Sequence, residues 1–153
     1  TTRLMLRLLQ DNLREGDRVL DVGTGTGVLA IAAVLCGARE ADGVDTDEWS
    51  YDNALENAQR NGVADRCHFR LGSVEHAAGY YDLILSNITK FDNLQLLPAY
   101  HHRLAPQGRV VLSGFYGKDS TDLRMALENL GFRTQDVASE DEWCAMSPMK
   151  DQG

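Results

Sequence analysis

The run Asp21-Val22-Gly23-Thr24-Gly25-Thr26-Gly27, with Asp45 further on, holds the residue types and spacing in this sequence that can do chemistry. Glycines accept φ > 0 and carry no Cβ, so the chain can turn tightly and let a ligand approach its N–H groups. Gly23 and Gly25 are the positions where that approach is expected. A carboxylate about 20 residues beyond such a turn, at the end of the next strand, can accept hydrogen bonds from both hydroxyls of an adenosine ribose. Asp45 holds that position. The competing reading is a structural turn beside a solvated acid.

The spacing leaves the ligand open, because Gly25-Thr26-Gly27-Val28-Leu29-Ala30 also fits the G-x-G-x-x-A pattern of NAD-binding proteins. Charge divides the candidates. Asp21 stands directly before the glycines, where a carboxylate repels a pyrophosphate and attracts a cation. S-adenosylmethionine has an ammonium, a sulfonium and no phosphate, so Asp21 favours it as the cofactor. The other use of Asp21 is to cap nearby backbone N–H groups.

These residues need strands to carry them. Arg18 to Val22, Ala41 to Val44, Cys67 to Leu71, Asp82 to Leu85 and Arg109 to Ser113 read as strands. Between them lie helical segments: Val28 to Cys36, Glu48 to Asn61, Leu96 to Leu104 and Ser120 to Leu130. A further helix precedes them, Thr2 to Leu13, with leucines at i, i+4 spacing and Thr2 at its N-cap. Gly37, Gly62 and Gly131 supply C-terminal stops, and Pro98 is tolerable only near the first turn of its helix. Alternating strand and helix predicts an α/β fold, a mostly parallel sheet with helices on both faces. Phe132 to Val137 and Trp143 to Met146 flank the short acidic loop Ser139 to Glu142, too short for a crossover, so this last pair is expected antiparallel.

The 153-residue length suits one domain, residues 1–153, and the composition of 43% hydrophobic and 25% charged residues excludes collagen-like and disordered classes. The longest apolar run, Val28 to Cys36, is far short of the ~18 residues of a membrane span. A net charge of −8 argues against nucleic acid as the main partner. Cys36, Cys67 and Cys144 form no CxxC pair and read as small buried hydrophobes in a reducing, cytoplasmic setting. His101 and His102 are neighbours about 100° apart on a helix and cannot face one site. His68 and His76 have no partners at metal spacing. Trp49 is expected to pack under the start of its helix and Trp143 against the sheet. The chain opens on Thr, which suggests a piece of a longer protein.

The DVGTGTG turn, Asp45 and the terminal strand pair together resemble the Rossmann-like class I S-adenosylmethionine-dependent methyltransferases. More narrowly, Thr1-Thr2-Arg3-Leu4, Leu29-Ala30-Ile31-Ala32-Ala33, Glu56-Asn57-Ala58, Asn61-Gly62-Val63, Ser86-Asn87-Ile88, Leu112-Ser113-Gly114 and Glu142-Trp143 recur in the order of the PrmA family. The resemblance implies that Thr2, Gly23, Asp45 and Asn87 contact the cofactor. It makes Asn87, just past its strand, the catalytic candidate, whose side-chain carbonyl accepts a hydrogen bond from the incoming amine. It implies methyl transfer to lysine side chains, and an N-terminal amine, of ribosomal protein L11. Family members carry an N-terminal domain that presents this substrate, so the chain is expected to be the catalytic half. Gly72-Ser73 stands where the superfamily commonly has Gly-Asp, which leaves the adenine amino contact unassigned. Alternatives are a methyltransferase for another protein or a small molecule, and a non-catalytic nucleotide-binding module.

Overall fold

A computed structural model describes residues 2–134 and 137–151. Five helices and nine strands are described: α1 (Thr2–Asn12), β1 (Arg18–Val22), α2 (Val28–Leu35), β2 (Glu40–Asp45), α3 (Glu48–Arg60), β3 (Cys67–Leu71), β4 (Tyr81–Asn87), α4 (Lys90–Arg103), β5 (Leu104–Tyr116), α5 (Ser120–Asn129), β6 (Phe132–Arg133), β7 (Ala138–Glu140), β8 (Trp143–Met146) and β9 (Met149–Lys150). The sheet runs β3-β2-β1-β4-β5-β8-β7, with β9 beside β5 and β6. β1 pairs in parallel with β2 on one side and β4 on the other, so the strand order reverses there. In open α/β sheets, ligands bind beyond the carboxyl ends of the strands at such a reversal.

Alternation along the strands divides the core. Val19, Leu83, Leu85 and Val111 join the leucines of α1 and the apolar residues of α2 and α3 on one face. Leu20, Ile84, Val110 and Leu112 join Leu97 and Tyr100 of α4 and Leu123 and Leu127 of α5 on the other. Successive Cβ atoms point to opposite faces, so each strand serves both layers. Every such side chain, fully buried, contributes about 1.5–3 kcal/mol against exposure. That double layer fixes the height at which β1, β2 and β4 end.

Several local expectations need correction. Thr2 is the first residue of α1 rather than its cap. Helix α4 starts at Lys90, capped by Thr89, whose side chain accepts from the Asp92 amide at 3.1 Å. Pro98 is therefore inside the helix, and it is exposed, so its ring lies toward solvent. Pro106 to Gly108 do turn, with Gln107 at φ 64°, but as an excursion within β5: Leu104 opposes Tyr81 and Arg109 opposes Leu83. Ser120 is the first residue of α5, and its hydroxyl donates back to the Gly117 carbonyl at 2.7 Å. The antiparallel hairpin is β7 with β8, turning at Asp141 (φ 56°), so Ser139 and Glu140 are strand rather than loop. Of the expected strand Phe132 to Val137, only Phe132–Arg133 is one, paired with β9; residues 135 and 136 lie outside the described residues. Cys67 and Cys144 are buried, whereas Cys36, at the end of α2, is exposed.

Candidate functional site

The turn after β1 is built from left-handed glycines. Gly23, Gly25 and Gly27 have φ of 70°, 58° and 84°, a region in which L side chains are strained. The amides of Gly23 and Thr24 donate to the Val44 carbonyl at 2.9 and 3.0 Å, which ties the turn to the end of β2. Gly27 caps α2 without a side chain; a Cβ there would meet Phe69 at 3.0 Å and Ala54 at 3.2 Å. At Gly25 a Cβ would meet nothing within 4 Å, so the front of the turn is open.

Asp45 holds this turn directly. Its Oδ2 accepts from the Gly25 amide at 2.8 Å and its Oδ1 from the Asp47 amide at 2.9 Å. An ionised carboxylate has about four lone-pair positions, so capacity for two further donors remains. Its carbonyl accepts from the Gly72 amide at 2.9 Å, which brings the β3 loop alongside. A cleft of about 320 Å³ results, lined by Gly23, Asp45, Ser73, Ile88, Asp92 and Gln95 among others. It combines a turn with open space before it, a carboxylate with spare lone pairs, and neutral or acidic walls. That donor set fits a ribose-bearing cation and, among the described residues, offers no basic group to a phosphate.

The remaining expected residues are placed differently. Asp21 is 1% exposed and lies beneath the turn, accepting from the Thr24 hydroxyl at 2.8 Å. Burial pushes its carboxyl up to about 7, against the opposing hydrogen bond from Thr24, with the charge of Asp45 adding to the rise. Asn87 ends β4 and lines a second recess of about 410 Å³ with Ile88, Thr89, Gly114 and Trp143. Ile88 borders both spaces. Trp143 stacks on Tyr116 with ring centroids 4.5 Å apart, which makes it a wall of this recess as well as part of the sheet. Thr2 is exposed at the start of α1 and lines neither space; the neighbouring Arg3 reaches Glu140 of the hairpin at 3.8 Å. Trp49 is 67% exposed, so it does not pack beneath its helix.

Sequence reasoning missed Asp92, Gln95 and Leu96, which bring one face of α4 into the cleft. A signal was present. Thr89-Lys90-Phe91-Asp92 is the T-x-x-D form of a helix start, which sets α4 beginning at Lys90 and puts 92, 95 and 96 on one side.

A family model described as "Ribosomal protein L11 methyltransferase (PrmA)" matches residues 1–151. The chain is 38% identical over 154 residues to a ribosomal protein L11 methyltransferase of Syntrophotalea carbinolica, covering 99% of this chain and 50% of that protein. It is 43% identical over 149 residues to one from Thermus thermophilus, covering 96% and 58%. The chain thus spans about half the length of the curated relatives it matches. A crystal structure of ribosomal protein L11 methylase from Lactobacillus delbrueckii subsp. bulgaricus superposes with a TM-score of 0.94 at 28% identity, covering 99% of this chain and 79% of that one. An RNA methyltransferase from Salinibacter ruber, in complex with S-adenosyl-L-homocysteine, shares the fold at a TM-score of 0.81 and 20% identity, covering 100% and 94%.

Proposed function

The chain belongs to the PrmA family, the ribosomal protein L11 methyltransferases, and from that premise we propose that it is the domain that moves methyl groups from S-adenosylmethionine to amino groups of ribosomal protein L11. The acceptors are lysine side chains and an N-terminal amine. The observation that carries this reading is the adjacency of two spaces: the Asp45 cleft and the Asn87 recess meet at Ile88. One suits a cofactor and the other an acceptor, and Ile88 lines both.

In this reading the spare lone pairs of Asp45 accept from both ribose hydroxyls. The open front of Gly25 admits the cofactor close to the backbone. Ser73, Asp92 and Gln95 are the polar groups available to the adenine end, a role the sequence had left unassigned. Asp21 contributes negative potential from beneath the turn toward a cationic group. Thr2 is proposed for the methionine end, approached from the exposed start of α1. When bound, S-adenosylmethionine supplies a methyl group on a sulfonium, which is already a good leaving group.

The protein's task is then alignment and exclusion of water. The side-chain carbonyl of Asn87 accepts from the incoming amine and aims its lone pair toward the cleft. Trp143, braced by its stack on Tyr116, forms the wall along which a lysine stem lies. A lysine ammonium, with an ordinary pKa of ≈ 10.4, gives up its proton to water before it docks. Among the described residues no helix is long and apolar enough to cross a membrane, and a cytoplasmic site of action suits a ribosomal substrate.

Calorimetric titration of this chain with S-adenosylmethionine, S-adenosylhomocysteine and NAD tests the reading. Binding of the first two without NAD supports it, and transfer of labelled methyl to purified ribosomal protein L11 then tests the acceptor. Binding of NAD alone overturns it.

A further inference from the structure

Beneath the Asn87 turn lies a buried polar network that the cofactor and acceptor roles leave unused. Asn93, on the first turns of α4, is 0% exposed. Its Nδ2 donates to the Ser113 carbonyl at 3.1 Å and the Ile88 carbonyl at 3.3 Å. Its Oδ1 accepts from the Ser86 hydroxyl at 2.6 Å. The Tyr100 hydroxyl lies 2.7 Å from the same Ser86 oxygen. Ser86 has one proton and gives it to Asn93, so Tyr100 must be the donor in that pair. Burial raises the Tyr100 phenol well above its ordinary range, in keeping with a proton retained.

The Ile88 carbonyl is held at close quarters. A Cβ on Gly114, which has φ +95°, would stand 1.9 Å from that oxygen, so the end of β5 presses against the turn. A Cβ on Gly23 would stand 2.8 Å from Ile88 Cγ2, so the glycine turn packs against the same residue. Asn93 thereby bonds both backbones that meet at the partition between the cleft and the recess. Without it, the buried Ser113 carbonyl and the part-buried Ile88 carbonyl each lose a donor, and the turn bearing Ile88 relaxes toward water.

We propose that Asn93 is a positioning residue for methyl transfer, acting through the Ile88 carbonyl to set the partition between cofactor and acceptor. The proposal rests on the preceding reading of the two spaces, and its test separates the two. Tyr100→Phe serves as the control, since it removes a hydroxyl from the far end of the network and touches neither carbonyl. Amide hydrogen exchange without ligand should quicken at Ile88, Thr89 and Gly114 in Asn93→Ala and stay as in the wild type in Tyr100→Phe. Affinity for S-adenosylmethionine should fall about tenfold in Asn93→Ala and stay within about twofold in Tyr100→Phe, although both lose thermal stability. If Asn93→Ala does not fold, Asn93→Asp, which keeps the acceptor and the shape but loses the amide donor, is read by the same two measurements. Equal exchange and equal affinity in the two variants would overturn the positioning role. A wild-type chain that ignores S-adenosylmethionine would overturn the methyltransferase reading, while the exchange data still decide whether Asn93 holds the turn.

Discussion

The two edges of the parallel sheet are built on opposite electrostatic plans. At the amino ends of β1, β2 and β4, Arg18 donates to Glu40 at 2.6 Å and to Asp42 at 3.0 Å, and its guanidinium lies 4.3 Å from the Tyr81 ring centroid. Arg109 reaches Asp17 at 2.7 Å, with side chains only 5% and 10% exposed. At the carboxyl ends, among the described residues, no basic side chain lines the cleft. There, among the described residues, Asp21 is buried without a cation and the Asp45 carboxylate bonds backbone amides. One edge spends its charges on each other. The other leaves a buried carboxyl and an underused carboxylate facing a gap, an arrangement that a bound cation would complete.

The sharpest way to break the contrast is to unpair the closed edge. Arg109→Ala leaves Asp17 buried without its cation, a change that costs about 3–5 kcal/mol where a buried pair loses one partner. Arg109 Nε already has no hydrogen-bond partner among the described residues, so the pair is not compensated elsewhere on that arm. Denaturant unfolding should show the full loss. The S-adenosylmethionine affinity of the folded fraction should be close to that of the wild type, because the site is at the other end of the strands. A parallel loss of affinity would mean that the two edges are coupled.

Next in size is a difference of sign with pH. The hydrogen bond from Arg18 holds Glu40 below the usual carboxylate range, so its contribution is present above the unfolded pKa and lost as pH falls through the folded one. Asp21 runs the other way. Its pKa rises on folding from 3.8 to about 7, so the folded state binds the extra proton between those values. Its contribution is fully present below about pH 4 and is lost as pH rises through about 7, a span of a few kcal/mol at most. Thermal unfolding from pH 3 to 8 should show both limbs. Asp21→Asn should flatten the neutral limb and leave the acid limb, and Glu40→Gln should do the reverse. Affinity for a cationic cofactor should rise through pH 7 in the wild type and lose that rise in Asp21→Asn.

The legible parts of the molecule are those where local signals and burial agree. β1 and β3 have the bounds read from their local pattern, and Asp45 at the end of β2 meets the glycine turn at the Gly25 amide. The misread parts are settled by partners distant in sequence. Residues 104–116 act as one strand because β4 and β8 border them across a turn that by itself reads as a break. β6 exists because β9 returns beside it, and nothing in Phe132–Arg133 announces that partner. Asn93 reads in sequence as one polar residue near a helix start. Its value comes from Ser113 and Ser86, on two other elements, which no periodicity connects.

The smaller effects probe the open edge. Asp45→Ala should weaken S-adenosylmethionine binding by about 1.5–3 kcal/mol, the scale of hydrogen bonds to a charged group, measured by calorimetry. Asp45→Asn should recover part of that, since one carbonyl oxygen still accepts. Smallest in stability is Gly25→Ala. An L residue at φ 58° costs roughly 1–2 kcal/mol, and no neighbour within 4 Å would add a clash. The new methyl would nonetheless stand in open space on the residue whose amide bonds Asp45, close to where the ribose is proposed to lie. Thermal unfolding should change by only a few degrees while cofactor affinity falls by a larger factor than that stability loss implies. If affinity is unchanged, the ligand does not approach the turn at Gly25, and the open space there serves the fold of the loop alone.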